Sequence, residues 1–78
     1  MMHIGKRIRE VLDEKGQSVT WFAQTLCYSR TNIYKIFQKE TIDSDILMTI
    51  SDILNHDFFK DYSEELDLNE KNGKPKKK

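Results

Sequence analysis

"SVTWFAQTLCYSRTNIYKIFQK", residues 18–39, contains two hydroxyl residues suited to start helices, Ser18 and Ser29, eleven positions apart. After the first, Phe22, Ala23 and Leu26 recur at helical spacing; after the second, Ile33, Ile36 and Phe37 do. Two caps this close predict a helix, a tight turn and a second helix over about 30–38. That second helix keeps its apolar stripe on one side, which turns Arg30, Thr31, Asn32, Tyr34 and Lys35 outward.

Outside this stretch the pattern stays helical, with no convincing strand. Ile4, Ile8, Val11 and Leu12 lie at i, i+4, i+7 and i+8 and share one face of a first helix, which Gly16 ends just after Lys15. Asp43 or Ser44 starts a fourth helix bearing Leu47, Ile50, Ile53 and Leu54. Asp57 caps a fifth with Phe58, Phe59 and Tyr62, read as core closure or, if in surplus, as a dimer contact. From about Leu66 the sequence LDLNEKNGKPKKK loses its periodicity. The expected architecture is an all-α bundle of about five helices in one domain over 1–66, with a disordered, polar, Lys-rich tail over 67–78.

A length of 78 residues, 37% of them hydrophobic, leaves little room for an enclosed pocket. One cysteine rules out a disulfide framework, and the apolar residues of MMHIGKRIREVL are too interrupted for a signal peptide or a membrane span. A cytoplasmic protein without membrane contact is expected. The formal net charge of zero conceals a segregation. Residues 1–39 carry seven Lys or Arg against three acids, residues 40–70 carry Lys60 against ten acids, and residues 71–78 carry five lysines and no acid. A functional basic face in the first half is expected.

These residues resemble the Cro/repressor-type (XRE) helix-turn-helix family, lambda-repressor-like in fold, over roughly 4–66. Ala23 supplies the small residue where the two motif helices cross, Ile33 and Ile36 fit the aliphatic positions of the second, and LCYSRT stands where LGVSRS is common. SDILMTISDILNHDFF is similar to the family's fourth and fifth helices. There are departures. Cys27 replaces the usual Gly of the turn, so that the turn is either mildly strained, at roughly 1 kcal/mol, or closes differently. Val19 replaces a Gln that often grips phosphate, with Thr20 as a weaker substitute. Leu12 and Phe37 replace an Arg and an acid that often pair, an exchange that is frequently neutral or stabilising. Trp21 stands where a charge is common and is expected to be half-buried packing.

The resemblance implies binding of double-stranded DNA, with the third helix in the major groove and, as a transcriptional regulator, two copies on one operator. By position it assigns base contact to Arg30, Thr31 and Lys35. Arg30 leads because its planar fork can bond guanine O6 and N7 together. Asn32 and Tyr34 flank it, while Ser18, Thr20, Ser29, Lys39 and the amides of the following loop lie near phosphates. Each has a plainer reading: a solvated Arg, surface polar residues beside a cap, a Tyr that covers the turn. An alternative use of the fold is as a protein-interaction module, antitoxin-like or phage-derived, whose acidic second half binds a basic partner. No catalytic, metal or cofactor motif is evident: His3 and His56 stand far apart, Cys27 has no motif around it, and DYSEELDLNE lacks the ligand spacing and central Gly of a calcium loop.

Overall fold

In the computed structural model both expected caps form. Ser18 Oγ accepts the Trp21 N–H at 3.0 Å and Ser29 Oγ accepts the Asn32 N–H at 3.1 Å. They open α2 (Val19–Leu26) and α3 (Arg30–Phe37), between α1 (Ile4–Glu14) and the later helices α4 (Ser44–Leu54) and α5 (Phe58–Gly73). The structure describes residues 2–73, with 67–73 as helical backbone alone. The side chains of 67–73 and everything beyond lie outside the described residues, and with them the tail expected over 67–78.

The other helix ends also follow from local chemistry. Gly16 ends the α1 turn at φ 72°, Cys27 ends α2 at φ 61° and Asn55 ends α4 at φ 51°. These are left-handed positions that terminate a helix by returning N–H groups to its last carbonyls. Asp57 Oδ1 accepts the Lys60 N–H at 3.0 Å at the start of α5. Asp43 is the N-cap of α4 without a side-chain cap bond. His3 caps α1, its Nδ1 accepting the Lys6 N–H at 3.1 Å, a role the sequence pattern does not suggest.

The apolar stripes meet in one core. Ile4, Ile8, Val11 and Leu12 of α1, Phe22 and Ala23 of α2, Ile33, Ile36 and Phe37 of α3, Leu47, Ile50 and Leu54 of α4 and Phe58 of α5 are all buried, and no polar residue among the described ones joins them. Leu12 and Phe37 are thus both core residues. The aromatic closure expected of α5 is only partly realised: Phe58 is buried and Tyr62 half-buried, but Phe59 is 39% exposed. The reason is geometric, because Phe59 lies about 100° round the helix from Phe58.

Long-range hydrogen bonds help to place α1. At its start the amides of Ile4 and Gly5 donate to the carbonyls of Glu40 (3.3 Å) and Lys39 (2.9 Å), in the loop after α3. Helix N-termini leave such amides without partners inside the helix, and the loop supplies them. A Cβ on Gly5 would lie 2.3 Å from the Phe37 carbonyl oxygen, so only glycine permits this approach. On the other side Arg7 Nε donates to Asp61 Oδ2 at 3.0 Å, and Arg7 also meets Glu10 at 2.6 Å. His56 Nε2 lies 2.8 Å from the same Asp61 oxygen. Burial pushes the Asp61 carboxyl up, but hydrogen bonds from His56 and Arg7 and their charge outweigh it and hold it below the usual carboxylate range. The ionised carboxylate only accepts, so His56 Nε2 carries the proton between them. The Asp61 bond in turn raises the Arg7 guanidinium.

Candidate nucleic-acid interface

The turn between α2 and α3 is built by backbone bonds. Cys27 N–H donates to Gln24 O (3.2 Å) and Tyr28 N–H to Ala23 O (2.9 Å), returning the chain over the end of α2. Ala23, 4% exposed, is packed in the core, so a larger side chain there would have to displace its neighbours. Cys27 takes the left-handed conformation expected of the glycine it replaces, so this is the mildly strained version of the ordinary turn.

Held against α2 and the core by Ile33, Ile36 and Phe37, α3 exposes Arg30, Thr31, Asn32, Tyr34 and Lys35 on its outer side. Lys39 is exposed just beyond. Among the described residues, none of Arg30, Lys35 and Lys39 is engaged in an ion pair. No acid occurs between Glu14 and Glu40, so neither motif helix carries a negative side chain. The outer surface of α3 is therefore cationic and rich in hydrogen-bond donors, with its charges uncommitted.

The remaining expected contacts are also placed. Ser18 and Ser29 are exposed, and each spends an oxygen lone pair on its cap, leaving the hydroxyl hydrogen to donate outward. Thr20 is exposed in the first turn of α2, beside half-buried Val19, which packs against the core. Within the first turns, the amides of Trp21 and Phe22 in α2 and of Asn32 and Ile33 in α3 are used in capping. Those of Val19, Thr20, Arg30 and Thr31 have no acceptor among the described residues. Trp21 is half-buried as expected and stacks on Phe22 at 6.5 Å; Phe22 stacks on Phe37 at 6.5 Å, and Tyr34 meets Phe37 edge-on at 5.9 Å. Tyr34, 46% exposed, thus has one side fixed by packing and the other free.

One participant is missing from the sequence reading. The Arg9 guanidinium of α1 lies 5.0 Å from the centre of the Phe37 ring, so a cation covers the aromatic side chain that replaces the family's acid. The interval of 28 residues between them gave no local signal. No helix among the described residues is long and apolar enough to cross a membrane. No curated protein and no solved structure matches the chain at a significant level. A family model for the Cro/C1-type HTH DNA-binding domain does, over residues 7–59, which takes in all of α2, α3 and α4. With that match on more than half its length, and with the caps, turn and outward third helix in place, the chain belongs to the Cro/C1-type helix-turn-helix DNA-binding family.

Proposed function

We propose that the protein is a transcriptional regulator that binds a specific double-stranded operator, inserting α3 into the major groove. The observation that carries this reading is the exposed, acid-free face of α3, on which Arg30, Thr31 and Lys35 have no partner within the described protein. The major groove, about 12 Å wide, admits one helix and displays a distinct donor and acceptor pattern for each base pair. Arg30, Thr31 and Lys35 read base edges; Asn32 and Tyr34 flank them. Ser18, Thr20, Ser29 and Lys39 hold phosphates and set the register. The same face argues against the protein-interaction alternative, because a module binding only through its acidic half has no use for uncompensated cations on α3.

A single module of this size covers about 600–1,000 Å² of DNA-facing surface, which favours two copies on a two-fold site. Phe59 and Leu66, 39% and 61% exposed and two turns apart on α5, offer the apolar surface for that pairing. The test of the operator reading is to select bound duplexes from a random pool and then compare two variants on matched and scrambled DNA by fluorescence anisotropy. Arg30→Ala is expected to cost roughly 1–3 kcal/mol on the matched site and much less on scrambled DNA. Lys39→Ala is expected to weaken both alike and to reduce the salt slope by about one unit, one fewer phosphate being neutralised. Wild-type protein binding no duplex more tightly than about 10⁻⁴ M at low salt would sink the proposal.

A further inference from the structure

We infer that α5 recognises a second copy of this chain in the antiparallel sense, with Lys60 of each copy paired to Glu64 of the other, so that these two residues select the partner and fix its register. The inference rests on the pairing through α5 proposed above and adds to it the orientation and the residues that set it. No DNA enters it.

The side of α5 turned to the domain is defined by its ties. Phe58 is buried, Asp61 is held by Arg7 and His56, and Glu65 accepts the Met2 N–H at 3.3 Å. Phe59, Lys60, Ser63, Glu64 and Leu66 are exposed on the other side. At about 100° per residue, Phe59, Ser63 and Leu66 form one narrow stripe, and Lys60 and Glu64 lie together along one edge of it. Small Ser63 stands between the two large apolar side chains. Such a stripe is complementary to its own reverse: Phe59 falls opposite Leu66 of a second copy, and Ser63 falls near the two-fold axis. In that register Lys60 comes within a turn of Glu64 of the second copy, and the symmetry makes the pair twice.

Both charges are available for it. Among the described residues neither Lys60 nor Glu64 is in an ion pair, with each other or with a neighbour. Their order accounts for this, because a lysine four positions before a glutamate is the poorer orientation within one helix. Lys60 is also the one cation among residues 40–66, so without it two such faces would oppose acids alone. A parallel pair would instead turn the Lys60 edge to the opposite edge of the second helix, where Phe58 and Tyr62 are packed on the core. A contact of two helical turns is small, which leaves charge to decide orientation.

The test measures self-association of the full chain by sedimentation, under reducing conditions because Cys27 is exposed, with circular dichroism confirming that each variant folds. Wild type is expected to dimerise reversibly without DNA. K60E and E64K each set like charges opposite one another at both symmetric sites, and each is expected to dimerise about tenfold more weakly. An equimolar mixture of the two is expected to recover the wild-type constant, since the acids of one chain then face the lysines of the other. The mixture separates partner contact from helix stability, because within either chain residues 60 and 64 still repel. At about 0.5 M salt the differences should shrink. Wild type that stays monomeric, single variants that dimerise as wild type does, or a mixture no tighter than its components would each overturn the inference. Operator binding is judged on duplexes, apart from these samples, so failure of one result leaves the other standing.

Discussion

At the scale of a residue, Cys27 shows how function is compatible with a small local penalty. A β-carbon in the left-handed region costs roughly 1–2 kcal/mol, against about 0.5–1 kcal/mol of extra chain entropy that a glycine would lose on folding. Cys27→Gly is therefore expected to stabilise the protein by about 0.5–1 kcal/mol, seen as a higher urea midpoint with an unchanged slope. A fall in midpoint would show that the exposed thiol contributes packing that outweighs the strain. This position was legible in the sequence, as were Ser18 and Ser29, because caps and turns depend on atoms within a few residues. Gly5 was not. Its requirement comes from the carbonyl of Phe37, 32 positions away, and nothing beside Gly5 in the chain distinguishes it from a glycine that is merely tolerated.

At the scale of an element, the spacing of apolar residues located all five helices, since each must turn one stripe inward. How they are tied together was less visible. The clasp of Arg7, Asp61 and His56 joins α1 to α5 across 54 positions, and in the sequence these are three ordinary surface residues. Asp61 binds a proton less readily in the folded chain than in the unfolded one, so its contribution is complete above the ordinary carboxylate pKa of about 4 and is lost as pH falls through the lowered folded value. Side chains 16% and 26% exposed are partly screened, which limits the effect. Asp61→Asn is expected to lose about 1 kcal/mol at pH 7 by urea unfolding, with the gap to wild type narrowing by pH 3. An equal gap at both values would assign the loss to packing rather than to charge.

For the whole molecule, neutrality is a balance between segments of opposite charge along the chain. Residues 15–39 contain four cations and no acid, while residues 40–66 hold eight acids and Lys60. This segregation leaves the two motif helices free of acids although the chain as a whole is neutral, and on the proposed reading it lets such a chain meet a polyanion. The exposed, acid-free outer side of α3 was thus readable from charge and spacing together. The α5 surface was not, because the sequence alone could not separate buried Phe58 from exposed Phe59. If copies pair through α5, replacing Phe59 and Leu66 together by Ser should lower affinity for a duplex with two half-sites while leaving a single half-site unaffected. Equal affinities for the two-site duplex, measured by anisotropy with sedimentation on the same samples, would place the pairing surface elsewhere.

The row of rings from Trp21 through Phe22 and Phe37 to Tyr34 has a practical side. Trp21 is the one indole in the chain, and it sits on α2 at one end of a row of rings that runs to the exposed Tyr34 of α3. The protein accordingly carries its own optical reporter: a half-buried indole packed on the core ring Phe22 is expected to change its emission when the core is lost, so folding can be followed on unlabelled protein.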